Sequence, residues 1–461
     1  MSLEGALAAN RFGLGAKPGE IDEASTDPKA WLRDQLARGE DSKRFADLSP
    51  TKDLLAELVK RDEARKARDK NAVKELMMLG RQTYLREMAA RFLVGFETSS
   101  PLHERLVRFW SNHFAVSTQK PQCALFVGAF EREAIRPHVT GRFSDMVLAA
   151  ERHPAMQLYL DNAQSIGPDS FVGQRARKGR NENLGREILE LHTLGVDGGY
   201  TQDDVIALAN ILTGWSVDRR PGPAARMINA GLGGEAENGF RFFPPRHEPG
   251  EKILLGRHYQ EGYRGGVQAL TDLAHHPATA RHIATKLATH FIADNPPEDS
   301  VKRIESAFRE SGGELMKVYE AIIDDPAAWR PDFAKFRSPV EYVTAAMRIA
   351  GNGRLGALDE KTVGPFMQSA RAMGEMPFAA PSPQGWPDTS DSWTGSDAVL
   401  QRVEWANAAA LKLGVQSDPA ALADAALGPL LNADTRSQIA RAASPAQGLA
   451  LLFASPEFQR R

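Results

Sequence analysis

The sequence is poor in cysteine and contains no long apolar run. Cys123 is the single cysteine in 461 residues, which excludes an intrachain disulfide framework and any zinc or iron–sulfur site that needs several cysteines. No run of about 18 apolar residues occurs, so the sequence predicts no membrane span. The formal net charge of −2 creates no general attraction for nucleic acid, and no nucleic-acid partner is predicted.

Short catalytic motifs and a leader segment are also missing. HExxH, GxSxG and P-loop patterns are absent, and Gly13 and Gly15 follow no strand that would make a dinucleotide site. The sequence therefore predicts no particular cofactor or metal. The start, MSLEGALAANRFGLGA, has no basic segment followed by an apolar one, so we expect no signal peptide and a cytoplasmic location. An export signal removed from the start would leave no trace in this sequence.

Helical periodicity dominates the residues that are present. Apolar side chains recur at three- and four-residue spacing, and Ser338-Pro339-Val340-Glu341 has the pattern of a capping box. The predicted fold class is mostly α, an irregular multi-helix bundle with a minor β-hairpin near 240–256. Helices are predicted over residues 28–38, 52–96, 101–116, 124–136, 143–150, 183–194, 202–214, 266–275, 278–293, 298–311, 315–323, 338–350 and 396–413.

The chain is too long for one ordinary core, so we expect more than one packed region. Residues 1–217 form an N-terminal helical region with a candidate polar centre. Residues 218–260 form a Gly/Pro-rich loop and the hairpin. Residues 261–461 form a C-terminal helical region that packs on the first as one unit.

Two polar residues fall on apolar helix faces. In NLGREILELHTL, Glu187 lies between Leu191 and Leu194 on the apolar arc, where an ionised carboxylate is costly unless it is paired or protonated. In PLHERLVRFWSNHFAV, His113 lies among the apolar residues, while Arg105, Arg108, Glu104 and Asn112 are assigned to the opposite face. A Glu187–His113 pair would suit a general base or half of a metal site. A buried strut between two helices and a misassigned helix phase remain alternatives.

A basic loop precedes the Glu187 helix. Free backbone N–H groups at a helix start, together with arginines, favour an anion. A solvated surface loop is the competing interpretation. Farther along, His247 and Lys252 flank a turn that a hairpin would close. The candidate ligand-binding residues are Arg175, Arg177, Arg180, Asn183, His247 and Lys252.

Several segments resemble the bacterial family catalogued as domain of unknown function 1800. They include RLVRFWSNHFAVS, NENLGREILELHTLGVDGGYTQDDVIALANILTGW, HEPGEKILLG, PSPQGWPD and LLFASPEFQRR, in order over nearly the whole chain. The resemblance implies no reaction and no catalytic residues. It does imply a partner, since members are often encoded beside a second family with an alkaline-phosphatase-like or sulfatase-like fold. Many members also carry export signals, and this sequence departs from that pattern.

Two functional hypotheses follow. The first is an enzyme, hydrolytic in its least specific form, with Glu187 and His113 as catalytic residues and an adjacent basic loop for an anionic substrate group. The second is a non-catalytic scaffold or accessory protein that docks a partner enzyme through the loop carrying Trp386 and Trp393 and through the long charged helix. An enzyme should have a pocket that reaches Glu187 or His113, whereas a scaffold should expose an apolar patch around the tryptophans.

Overall fold

A computed structural model describes residues 1–38, 43–176, 179–219, 234–351, 360–413 and 418–461. Helical segments, including short 3₁₀ and π segments, make up 66% of the described residues, and strands make up only 4%. The prediction of a mostly α-helical fold is therefore confirmed. The helices are α1 (Leu3–Leu7), α2 (Glu20–Ala24), α3 (Pro28–Arg38), α4 (Thr51–Lys66), α5 (Lys70–Glu97), α6 (Pro101–His113), α7 (Val127–Phe130), α8 (Phe143–Arg152), α9 (Pro154–Tyr159), α10 (Phe171–Ala176), α11 (Asn183–Glu187), α12 (Gln202–Ile211), α13 (Tyr263–Ala274), α14 (Pro277–Phe291), α15 (Glu298–Ser311), α16 (Leu315–Ile323), α17 (Pro339–Ala350), α18 (Glu360–Ala372), α19 (Ser396–Leu413), α20 (Pro419–Leu427), α21 (Ala433–Ala440), α22 (Pro445–Ala454) and α23 (Pro456–Gln459).

Most predicted helices occur close to their predicted bounds, but the helix predicted over 52–96 is two helices. Arg68 adopts a left-handed φ of 58°, and the Asp69 carboxylate accepts hydrogen bonds from the backbone N–H groups of Asn71 and Ala72. An aspartate that caps a helix start satisfies N–H groups that have no partner within the helix. The charged sequence therefore ends α4 and begins α5 within three residues.

The strands form two small antiparallel sheets, so the strands of the predicted hairpin near 240–256 belong to different sheets and do not pair with each other. In the first sheet β3 (Phe240–Phe242) lies between β1 (Trp215–Val217) and β2 (Ala236–Glu237). In the second, β4 (Lys252–Leu254) pairs with β5 (Arg257–Tyr259). Leu255 and Gly256 join β4 to β5 with φ of 48° and 73°, and two residues of positive φ make the tight turn that suits a hairpin. Most of the predicted Gly/Pro-rich loop, 220–233, lies outside the described residues.

Two hydrophobic cores share the N-terminal helices. The larger core collects buried side chains between Ala8 and Ala328. The second combines side chains from the first hundred residues with side chains between Val340 and Phe458. Within the described ranges, no helix is both long enough and apolar enough to cross a membrane.

Arg348 on α17 ties the second core to the start of the chain. Its side chain is fully buried, and its Nη2 atom donates to both carboxylate oxygens of Glu20 at 2.7 and 2.9 Å. Its Nε atom donates to the Gly15 carbonyl at 2.7 Å, and Nη1 donates to the Gly95 carbonyl at the end of α5. One guanidinium thus holds α2, α5 and α17 together.

We expect Arg348→Met to reduce the free energy of unfolding by about 3–5 kcal/mol, because it leaves the Glu20 carboxylate and several carbonyls without their donor. Urea denaturation at pH 7 measures the change. Arg264→Met, which removes an exposed arginine, is the matched control and should change the free energy of unfolding by less than about 0.5 kcal/mol. Equal effects of the two substitutions would contradict the role given to Arg348.

Candidate functional site

A cavity of about 400 Å³ opens where the two cores meet. Its walls come from α6, α14, the start of α17 and the loop between α18 and α19. A volume of this size suits a small organic molecule. The titratable side chains of the lining are Arg91, Arg105, Arg108, His113, Lys286, His290, Glu341, Glu375 and Asp388.

Glu341 anchors the wall of this cavity. It occupies the third helical position of α17 and completes the predicted capping box with Ser338. Its carboxylate also accepts from Arg105 Nη1 at 2.5 Å and from Arg461 Nε at 3.2 Å. Burial opposes ionisation, but the two guanidinium charges outweigh it and hold the pKa of Glu341 well below its usual range. The carboxylate is therefore ionised and joins α6, α17 and Arg461.

His290 on α14 is oriented by a carboxylate. Its Nδ1 atom donates to Asp388 Oδ2 at 2.7 Å, which leaves Nε2 as an acceptor, 3.3 Å from Arg105 Nη1. Burial lowers the pKa of His290 although Asp388 opposes this shift. A neutral imidazole with a fixed tautomer results.

Lys286 and Glu375 bring two groups with shifted pKa values to the same cavity. The Lys286 amino group has no hydrogen-bond or ion-pair partner among the described residues, and burial lowers its pKa to about 8. Glu375 accepts a hydrogen bond from the Val340 N–H at 2.8 Å. Burial raises the pKa of Glu375, and the negative charge of Glu341 adds to the shift. A carboxyl group with a raised pKa and an amine with a lowered pKa therefore line one space.

The tryptophan loop closes the cavity instead of facing solvent. Asn112 donates through Nδ2 to the Trp386 carbonyl at 2.8 Å and accepts from the Trp386 N–H at 2.8 Å. Gly385 permits this approach because its φ is 83° and a Cβ atom there would lie 2.4 Å from the Asn112 carbonyl oxygen. Trp393 is buried. The apolar patch expected for a scaffold is thus turned inward.

The predicted residues Glu187 and His113 lie on neighbouring elements, with His192 as the residue near both. Glu187 is partly buried, and burial raises its pKa. His113 is buried and donates through Nε2 to the His192 carbonyl at 3.1 Å. A carboxylate does pair with a histidine here, but the pair is Glu151 and His192. The Glu151 carboxylate lies 2.7 Å from His192 Nδ1, and both side chains are fully buried. His113 lines the cavity, whereas Glu187 is not among its lining residues.

The predicted ligand-binding residues that the structure describes are not among the residues that line the cavity. Arg175 is exposed and stacks on Phe171, Arg180 pairs with Glu182 at 3.5 Å, and Arg177 lies outside the described residues. Asn183 is exposed, and its N–H donates to Asn181 Oδ1 at 2.9 Å.

His247 and Lys252 are satisfied by backbone groups. His247 donates through Nδ1 to the Thr213 carbonyl at 2.9 Å and accepts from the Gly262 N–H at 2.8 Å. Lys252 donates to the carbonyls of Glu248 and Gly250. These contacts stabilise the loop that precedes β4.

The polar face of α6 is not a solvent-exposed face, because α6 is buried on nearly all sides. Arg105 and Glu104 are 1% and 0% exposed, since Glu341 pairs with the first and Arg136 with the second.

Lys286 and His290 were not singled out. Their four-residue spacing places both on one face of α14, which is the signal that points to them.

The chain belongs to the family described as Protein of unknown function (DUF1800), which matches residues 7–460. Neither a curated protein nor a solved structure matches the chain.

The lowered pKa of Glu341 predicts a pH-dependent contribution to stability. Because the pKa is lower in the folded state than its usual 4.5, the unfolded chain takes up the proton first as pH falls. We expect Glu341→Gln to cost about 3–5 kcal/mol in the free energy of unfolding at pH 7.

The difference in the free energy of unfolding between wild type and Glu341→Gln should become smaller below about pH 4.5. Urea titrations between about pH 3.5 and 7 measure the difference. Glu310→Gln, at an exposed position on α15, should track the wild type throughout. A difference that does not change with pH would contradict the ionised, buried role of Glu341.

Proposed function

We propose that this protein is an acid–base enzyme, hydrolytic in its simplest form, whose site is the cavity between the two cores. The observation that carries the proposal is the meeting of Lys286, Glu375 and the His290–Asp388 pair in one space of about 400 Å³. A concave site with a few convergent polar groups is the usual arrangement of an active site. The proposed site does not include Glu187, which does not line the cavity, and it does include His113.

The charge of the lining favours a substrate with an anionic group. Four cationic side chains line the cavity, Arg91, Arg105, Arg108 and Lys286. Three carboxyl groups line it, those of Glu341, Glu375 and Asp388, and the raised pKa of Glu375 favours the neutral form of that group. The positive charge therefore exceeds the negative charge that remains to balance it, and a negatively charged ligand would restore the balance.

The roles of Lys286 and Glu375 follow from the opposite directions of their pKa shifts. The amine of Lys286 accepts a proton from water as the water oxygen attacks the substrate, and the Glu375 carboxyl group donates a proton to the leaving oxygen. A raised carboxyl pKa and a lowered amine pKa make both transfers effective near neutral pH. His113 forms part of the wall, and its Nε2–H is held by the His192 carbonyl.

The scaffold hypothesis has less support at the tryptophan loop. Docking through that loop would need Trp386 and Trp393 on the surface. Trp393 is buried, and the Trp386 indole N–H donates to the Met376 carbonyl. Both indoles line the cavity, where they fit a ligand wall better than a docking surface.

Lys286→Met and Glu375→Gln should each lower hydrolysis by roughly 100-fold or more, because each removes one proton-transfer group. The substrates to test are p-nitrophenyl phosphate, sulfate and acetate, with release of nitrophenol followed by absorbance. The pH profile of kcat/KM for the wild type should be bell-shaped, because the reaction needs the neutral Lys286 amine and the protonated Glu375 carboxyl group together, and Lys286→Met should lack the alkaline limb near pH 8.

Arg175→Met is the matched control, since it removes one cation from the exposed loop before α11. It should leave hydrolysis unchanged. Thermal stabilisation by pyrophosphate or citrate should likewise disappear in Lys286→Met and persist in Arg175→Met. The reverse pattern would place the anion site in the basic loop and overturn the proposal.

A further inference from the structure

The first half of α5 carries an exposed face that is both apolar and basic. At about 100° per residue, six of its residues fall within an arc of about 100°. Met77 and Met78 are 56% and 55% exposed, an unusual degree of exposure for large apolar side chains side by side on one helix. We call this set the basic face; it consists of Lys70, Lys74, Met77, Met78, Arg81 and Leu85.

The cations of the basic face form no ion pair with the part of the chain that the structure describes. Lys70, Lys74 and Arg81 form no ion pair with any described residue, and the same holds for Arg65 and Arg68 nearby. These five side chains border an open groove, with Asp69 as the one acidic residue in its lining. An apolar strip bordered by unpaired cations is complementary to an apolar strip that carries carboxylates.

A face of that second kind lies on α19 of the same chain. Leu400 and Leu411 are 58% and 74% exposed, and they share an arc of about 100° with two carboxylates. Neither carboxylate forms an ion pair with a residue of the described part of the chain. We call this set the acidic face; it consists of Asp397, Leu400, Glu404, Asn407, Ala408 and Leu411.

We propose that the basic face of one copy of this chain binds the acidic face of a second copy. The faces match in length, about 22 Å from Lys70 to Leu85 and about 21 Å from Asp397 to Leu411, at 1.5 Å per residue. They match in width, and they carry opposite charges around apolar centres. Both are exposed in a single molecule, so neither is used within it.

A second copy fits these faces better than an anionic membrane surface. A membrane would satisfy Lys70, Lys74 and Arg81 but would leave Leu400 and Leu411 of α19 exposed to water beside unpaired carboxylates. Contact between copies covers both faces at once. Burying exposed apolar side chains is the main driving force of such association, and the charges select the partner face.

Charge reversal tests the proposal without disturbing the fold, because every changed residue is exposed. One variant carries Lys74→Glu and Arg81→Glu, and the other carries Asp397→Lys and Glu404→Lys. Wild type should show a mass near twice 50.4 kDa, or larger masses that grow with concentration, in light scattering at low salt. Each variant alone should run as a monomer, and an equimolar mixture of the two should regain the wild-type mass.

Control variants distinguish this contact from non-specific association. Lys302→Glu and Val196→Glu change exposed residues elsewhere, at 63% and 69% exposure, and should associate like the wild type. Association should weaken as sodium chloride is raised, since the charge pairs are screened. A monomeric wild type, self-association that both variants retain, or a monomer that binds phosphatidylglycerol vesicles through Lys74 and Arg81 would each overturn the proposal.

Discussion

The pairing of the Glu341 carboxylate with two arginines is the interaction on which the rest of the structure depends. Glu341 caps the start of α17, accepts from Arg105 on α6, and accepts from Arg461 near the end of the last helix. A buried charge is tolerated only when its partners are fixed in place, so these elements must assemble together. Their junction is also the wall of the cavity, and the same contact therefore maintains both the fold and the candidate site.

The charges around Glu341 also bear on what the proposed site would bind. Arg91 pairs with Glu131 and Arg105 pairs with Glu341, so these two guanidinium groups are balanced within the protein. Lys286 has no hydrogen-bond or ion-pair partner among the described residues, although the negative charge of Asp388 favours its protonated form. Under the proposed function, Lys286 is therefore a cation of the lining that can meet an anionic group of the substrate.

The sequence predicted the helices well but did not predict which side chains meet in the cavity. Helix periodicity and the Ser338–Glu341 capping box depend on residues within a few turns, so α14 and α17 could be recognised from local pattern. Arg105 and Glu341 are 236 positions apart, and no local pattern shows that each compensates the charge of the other. From the sequence alone, Arg105 belonged to the polar face of an amphipathic helix. Among the candidate site residues that the structure describes, His113 lines the cavity, and it was recognised because it broke an apolar face.

The location of α5 and α19 bears on how they bind. The second half of α5, from Met88 to Phe96, is buried in the second core, and Ala406 and Ala410 hold α19 against the same core. The acidic face of α19 is therefore supported by packing on the other side of that helix, and the basic face of α5 continues from a half of that helix that the core holds in place. A rigid surface loses little conformational freedom when it binds, so modest complementarity is enough for association. Unsupported helices with the same residues would have to order first, and that ordering would oppose binding.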